Sequence, residues 1–350
     1  MKTVLNRRQI MTGLSTLCYI EKNGKYLMLH RTVKKNDVNR EKWIGVGGHF
    51  EQDESPEECL LREVREETGY TLTSWRYRGI VTFVSGDGVT EYMSLFTADG
   101  FEGEPIPCDE GELAWVDIED VWKLNIWEGD KIFFRLIDEE HPFFSLKLTY
   151  DGSGHLIAAA LDGKPMELFD ILNPDGSRTG LTRERGVALR EGSLHAAAHI
   201  WVLRPGISGR TELLLRKPDG NFRPGTYDIS AASHLAAGES APKAAIRKLS
   251  ETLSIETTPG YLRFIGTYHS VSENIYCGKH FRDNELRSVY LYTESADLPP
   301  VTQGSSESKE ILWMDLQAFL HGVREGSFPT CINADELRML ESYLKTHTVF

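Results

Sequence analysis

The chain has 350 residues, 40% of them hydrophobic and 26% charged, with a net charge of −13. That length favours two domains over one core, and the composition is that of a globular protein. The acidic balance argues against binding a nucleic-acid polymer, and no apolar run approaches the ~20 residues that span a bilayer.

In chain order, the apolar stretch after Arg7 and Arg8 (Leu17 to Ile20) stops at Glu21, too short for a secretion signal. A cytoplasmic protein without membrane contact is therefore expected. Leu14–Ile20 and Lys25–Arg31 read as a hairpin around Asn23-Gly24. A loop with Gly45, Gly47 and Gly48 leads into a helix, followed by strands near Tyr77–Val84 and Glu91–Ala98. Val116–Lys123 and Glu128–Glu139 are expected to be at least partly helical, and the turn-rich stretch from Tyr150 to Pro165 marks a domain boundary. Residues 1–160 would form one domain, 161–165 a linker and 166–350 a second domain. Cys18, Cys59, Cys108, Cys277 and Cys331 form no Cys-x-x-Cys pair, which speaks against a disulfide framework or a structural zinc site.

The second half repeats the first. An offset of 185 residues places Glu239 on Glu54, His234 on His49, Arg247 on Arg62, Glu251 on Glu66 and Leu214-Leu215-Arg216 on Leu29-His30-Arg31. One register kept over so many charged positions indicates a tandem duplication.

The helix after the glycine loop carries the chemistry. Ser55 suits the N-cap, Pro56 the first turn, Glu58 completes a capping box and Gly69 ends the helix. Glu63, Glu66 and Glu67 share one face, and Leu60, Leu61, Val64 and Thr68 occupy the neighbouring one. Three like charges on one face oppose helix formation, whereas a hard cation with oxygen ligands stabilises them.

Gly48, Glu54 and the run Arg62-Glu63-Val64-Arg65-Glu66-Glu67-Thr68-Gly69-Tyr70 match every fixed position of the Nudix box, and the chain resembles the Nudix hydrolases. The resemblance implies an α/β (α+β) chain of two tandem Nudix folds, each a mixed β-sheet sandwiched between α-helices. It implies a Mg²⁺ (or Mn²⁺) site at Glu63, Glu66 and Glu67, joined by the Gly47 carbonyl and Glu110. Gly48, Glu54, Arg62 and Gly69 would be structural, with Glu54 and Arg62 paired. The activity implied is hydrolysis of a nucleoside diphosphate linked to another group, with Glu63, Glu66 or Glu110 as catalytic base.

Over roughly residues 14–155 the chain is also similar to the MutT-like 8-oxo-dGTP diphosphatases. The carrying stretches are Leu29-His30-Arg31, Lys42 to Gly48, Asp109 to Trp115 and Trp127-Glu128-Gly129-Asp130. This implies a nucleoside triphosphate cleaved to monophosphate and pyrophosphate, with oxidised purines such as 8-oxo-dGTP as candidates. Arg31 would meet phosphate, Trp127 would stack on the base and Asp130 would read its edge. Ile44, in place of a base-reading Asn, and Gly129, in place of a second acid, depart from the pattern. A pyrophosphatase for ADP-ribose or a dinucleotide, and a nucleotide-sensing protein, remain open.

In the second copy Lys248 and Thr252 replace two box glutamates, and Ser233 and Ser254 replace both glycines. An ammonium there repels a cation, so no hydrolysis is expected from this half. Phe169 to Gly176 and Arg190 to His195 resemble Nudix members akin to isopentenyl-diphosphate isomerase. This half would serve packing or homodimerisation, or sense an anion through Arg216, His234 and Arg247.

Overall fold

A computed structural model describes residues 12–33, 37–206, 209–218, 225–276, 279–294 and 308–350. The chain divides into two compact units, Met1–Leu168 with Leu181–Val187, and Phe169–Gly180 with Ala188–Phe350.

The first unit contains β1 (Thr12–Lys22), β2 (Lys25–His30), β3 (Trp43–Ile44), α1 (Pro56–Thr68), β4 (Thr71–Val84), β5 (Thr90–Glu102) and β6 (Glu112–Asp117). It continues with α2 (Ile118–Val121), α3 (Glu128–Asp138), β7 (Phe144–Tyr150), β8 (Leu156–Leu161) and β9 (Lys164–Pro165). The expected hairpin forms: Asn23 and Gly24 both take positive φ (54° and 74°), the geometry of a turn that matches strand twist.

The strands form one mixed sheet in the order β3-β2-β1-β5-β4-β7-β8-β9, with β6 also on β2. β1 runs parallel to β5, pairing Cys18 with Phe96. Alternation along β1 sends Cys18 and Ile20 to one face, where they pack with Leu60 and Val64 of α1. Tyr19 goes to the other face, its ring 4.7 Å from that of Phe134 on α3. The sheet is thus covered by α1 on one side and α3 on the other.

Two expectations change. Val116 and Asp117 end a strand, because β6 pairs with β2 through Asp117, and the short α2 begins only at Ile118. Residues 161–165 are not a linker: Leu161 pairs with Lys164 and Ala160 with Pro165, so the glycine-rich turn there closes a hairpin that extends the first sheet. The turn signal was real, but its strands stay in the first unit, and the chain returns to that unit once more at Leu181–Val187.

Between and beyond lie β10 (Leu168–Leu172), β11 (Arg178–Glu184) and α4 (Arg185–Glu191). Then come β12 (His195–Pro205), β13 (Thr211–Pro218), β14 (Ala231–His234), α5 (Ala241–Leu253), β15 (Leu262–Tyr276), β16 (Lys279–Thr293), β17 (Ser308–Asp315), α6 (Leu316–Arg324) and α7 (Ala334–Thr346). The second unit's sheet has the order β15-β16-β12-β13-β17, with β14 also on β12. β12 is parallel to β16 and antiparallel to β13, as β1 is to β5 and β2. Ala198, Ile200 and Val202 pack with α5 through Ala244, Ala245 and Leu249. Trp201 and Leu203 pack on the opposite face with Phe319 of α6 and Leu340 of α7. No helix among the described residues is long and apolar enough to cross a membrane.

Candidate active site

The site grows from how α1 begins and ends. The Ser55 side chain accepts from the Glu58 amide at 3.2 Å and the Glu58 carboxylate accepts from the Ser55 amide at 2.8 Å, closing the capping box. Gly69 ends the helix at φ 77°. Leu60, Val64 and Thr68 are fully buried against the sheet, which fixes the rotation of α1 and so the direction in which its carboxylates point.

The preceding loop is pinned to β1: the Thr16 amide donates to Gly48 O at 2.9 Å and the Cys18 amide to Val46 O at 2.7 Å. The loop and helix approach so closely that a Cβ on Gly48 would run into the Glu63 carboxylate. A Cβ on Gly47 would likewise meet the Thr16 carbonyl.

Arg62 ties the parts together. Its Nε and Nη2 donate to the two Glu54 oxygens at 2.7 and 2.9 Å, Nη1 donates to Glu63 at 2.8 Å and Glu66 at 3.3 Å, and Nη2 also reaches His49 O at 3.0 Å. The Arg62 hydrogen bonds, with a backbone amide at Glu51, hold the Glu54 carboxyl down at a pKa of about 2. Glu67 is buried and its Oε2 accepts from the Gly47 amide at 3.0 Å. Glu66 is the open member, its side chain 61% exposed against 15% for Glu63. Glu63, Glu66 and Glu67 thus offer hard oxygen donors of graded exposure, a set suited to Mg²⁺ or Mn²⁺.

The outlying residues divide into two groups. Arg31 points its guanidinium at Asp37 Oδ2, with Nε at 2.7 Å, and at the Glu110 carboxylate, so these residues form an ion-paired cluster at the end of β2. Trp127 is the N-cap of α3. Its Nε1 donates to Asn39 at 2.8 Å, Lys42 Nζ lies 4.8 Å over its ring, and Phe83 and Tyr150 meet it edge-on at 5.6 and 5.1 Å. Three turn residues further on, Asp130 is buried. Burial raises its pKa to about 8, opposed by the Lys42 charge and a hydrogen bond from the Trp127 backbone, and helped by Glu128. Half-buried Trp127 and Asp130, whose carboxyl burial pushes toward its neutral form, therefore sit on one helix turn, an apolar face beside an acid.

In the second unit Arg247 grips Glu239 at 2.9 and 2.9 Å and reaches His234 O at 3.4 Å, repeating the Arg62 clamp. Lys248 is buried where Glu63 would stand, and Ser254 adopts the left-handed C-cap (φ 55°) of Gly69. Arg216 faces Asp228 at 3.4 Å.

His234 turns away from that clamp into a cluster that motif reading missed. Among the described residues, ligand atoms of His195, His234, Asp283 and Glu285 lie within 4.8 Å of one another. β12 and β16 set His195 opposite Glu285, and β14 brings His234 alongside. His195 Nδ1 lies 2.8 Å from Ser193 O, and its Nε2 lies 3.4 Å from the Asp283 carboxylate. Burial would lower the His234 pKa, but the Asp283 and Glu285 carboxylates outweigh it and raise it to about 9. The only sequence signal was the Asp-x-Glu spacing of Asp283 and Glu285, which is too common to stand alone.

A mixed sheet covered on both faces, with a capped helix whose Glu67 accepts from the glycine loop and whose Glu63 and Glu66 share Arg62, offers oxygen donors for a hard divalent ion. The NUDIX domain model matches residues 11–137. The uncharacterized Nudix hydrolase YvcI of Bacillus subtilis is 30% identical over 152 residues, covering 42% of this chain and 92% of that protein. The oxidized purine nucleoside triphosphate hydrolase of Danio rerio is 30% identical over 151 residues, covering 43% of this chain and 94% of that one. The crystal structure of the MutT protein from Bacillus halodurans is 26% identical with a TM-score of 0.39, covering 44% of this chain and 99% of that one. The chain belongs to the Nudix hydrolases.

Proposed function

We propose that the first unit is a Mg²⁺-dependent nucleoside triphosphate pyrophosphohydrolase acting on oxidised purine nucleotides. One observation carries the reaction: Arg62 clamps Glu54 and donates to Glu63 and Glu66, while Glu67 accepts from the Gly47 amide, so each carboxylate of α1 is tied to the glycine loop or to its clamp. When bound, the cation acidifies water and neutralises charge on the phosphate oxygens. Glu66, the most exposed of the candidate bases Glu63, Glu66 and Glu110, is best placed to take the proton from that water. Arg62 holds Glu63 and Glu54 in place, and Arg31 stands ready to exchange a carboxylate partner for a phosphate.

The substrate rests on Trp127 and Asp130, and on the 30% identity to a fish enzyme named for oxidised purine nucleoside triphosphates. An aromatic face supplies binding, and a neutral acid donates to a purine edge acceptor. A screen of purified protein with Mg²⁺ over 8-oxo-dGTP, dGTP, ADP-ribose and dinucleoside polyphosphates, scored by released pyrophosphate or phosphate, tests this. Preference for 8-oxo-dGTP with pyrophosphate as product supports it; preference for ADP-ribose or a dinucleotide sinks the substrate while keeping the class.

The second unit we read as a duplicated Nudix fold that has lost this reaction, supported by its repeated strand pairing and Arg247–Glu239 clamp. Once an incoming ion displaces the His234 proton, the two imidazoles and two carboxylates of His195, His234, Asp283 and Glu285 are a donor set for a borderline divalent ion such as Zn²⁺. Metal analysis of the purified chain should find such an ion, lost in His195→Ala together with some thermal stability; a metal content unchanged in that variant would refute the assignment.

A further inference from the structure

The first turn of α3 carries the proposed base contacts and is held from several sides. Its N-cap, Trp127, makes no side-chain capping bond, and its second residue is Gly129. Downstream, Ile132, Phe133, Leu136 and Ile137 are buried in the core. The helix body is held by packing, and in the first turn the Gly129 amide donates to the Tyr150 hydroxyl at 3.0 Å and Trp127 Nε1 to Asn39.

A further hold comes from residues 181–187, which belong to the first unit although they follow residues 169–180 of the second. Arg183 donates from Nε and Nη2 to the two oxygens of Glu128, at 3.0 and 3.2 Å. Both side chains are 18% exposed, and Lys131 Nζ adds a 3.4 Å contact to the same carboxylate. This is a two-point, largely desolvated pair, in a geometry that only a guanidinium satisfies. The strap is anchored on both sides of Arg183. Thr182 donates its hydroxyl to Leu156 O, and Glu184 receives Arg135 Nη2 at 3.2 Å and the Val187 amide at 3.1 Å. Gly186 lies so close that a Cβ there would stand 2.7 Å from Arg135 Nε.

Glu128 stands directly between Trp127 and the turn that carries Asp130. We propose that Arg183 is a positioning residue for nucleotide recognition: its grip on Glu128 sets the first turn of α3, and with it the Trp127 ring and the Asp130 carboxyl. This rests on reading Trp127 and Asp130 as the base contacts. The metal helix α1 lies on the opposite face of the sheet, so the strap governs binding of the base and leaves the chemical step alone.

The test uses the full chain with saturating Mg²⁺ and steady-state kinetics on 8-oxo-dGTP and dGTP, comparing wild type, Arg183→Met, Arg183→Lys, Glu128→Gln and Trp127→Ala. Arg183→Met is expected to raise KM for 8-oxo-dGTP about fivefold or more with kcat within about twofold, and to narrow the preference over dGTP. Arg183→Lys should fall between it and wild type, and Glu128→Gln should match it. A strap with a purely structural role would lower the melting temperature and leave KM unchanged. An unchanged KM in Arg183→Met, or in Arg183→Lys and Glu128→Gln should Arg183→Met not fold, overturns the proposal while Trp127→Ala still raises KM. An unchanged KM in Trp127→Ala overturns the base-contact reading itself, and the proposal with it.

Discussion

Arg62 holds Glu54 through two hydrogen bonds of 2.7 and 2.9 Å while its third nitrogen reaches Glu63 at 2.8 Å. One side chain therefore orients both the loop before α1 and a carboxylate on it. Arg62→Lys keeps the charge but has one donor position instead of a fork. Activity or Mg²⁺ affinity should fall about 10- to 100-fold, the usual cost of losing an orienting partner, read from the Mg²⁺ dependence of pyrophosphate release.

Gly48 is required by space. Because a Cβ would collide with the Glu63 carboxylate, Gly48→Ala must displace either the loop or the ligand. We expect a loss of turnover much larger than the loss of thermal stability, since Glu63 can swing away from a methyl group only by leaving its position. Equal kcat in Gly48→Ala and wild type would contradict the packing.

Trp127→Ala should weaken nucleotide binding. Stacking a base on an aromatic ring contributes about 1–3 kcal/mol, so KM should rise about 5- to 160-fold with the Mg²⁺ requirement unchanged.

Asp130 predicts a pH signature. Its folded-state pKa of about 8 lies above the ~4 of an exposed aspartate. The folded chain therefore keeps a proton that the unfolded chain releases, and this group's contribution to stability declines as pH rises from about 4 to 8. The acid donates to the base edge only while protonated, so KM should climb above about pH 8. Asp130→Asn, a donor at every pH, should flatten that limb; a limb that persists in Asp130→Asn assigns it to another group.

The parts of the molecule legible in sequence were those fixed by local rules. The Asn23-Gly24 turn, the Ser55–Glu58 capping box and the Gly69 stop each depend on a few adjacent residues. So does the three-glutamate face, and the 185-residue offset exposes the repeated clamp at Arg247. The misplaced linker shows the limit: a turn cluster says that the chain reverses, not which sheet receives the returning strand, and β9 pairs back onto β8. The cluster of His195, His234, Asp283 and Glu285 was invisible for the same reason, because it is assembled by pairing of β12 with β14 and β16. Arg183 carries no signal in the sequence, because its partner Glu128 lies 55 residues away and only the fold brings them together.

The central claim is that α1 accounts for all metal-dependent turnover in the chain. Glu66 is largely exposed, so Glu66→Gln removes a charge without disturbing the core, and Glu251→Gln makes the matching change in the second unit. Pyrophosphate release from 8-oxo-dGTP with Mg²⁺, measured on both full-length variants, should be lost in Glu66→Gln, with an unchanged melting temperature, and retained in Glu251→Gln. Wild-type turnover in Glu66→Gln, or its loss in Glu251→Gln, would contradict the account.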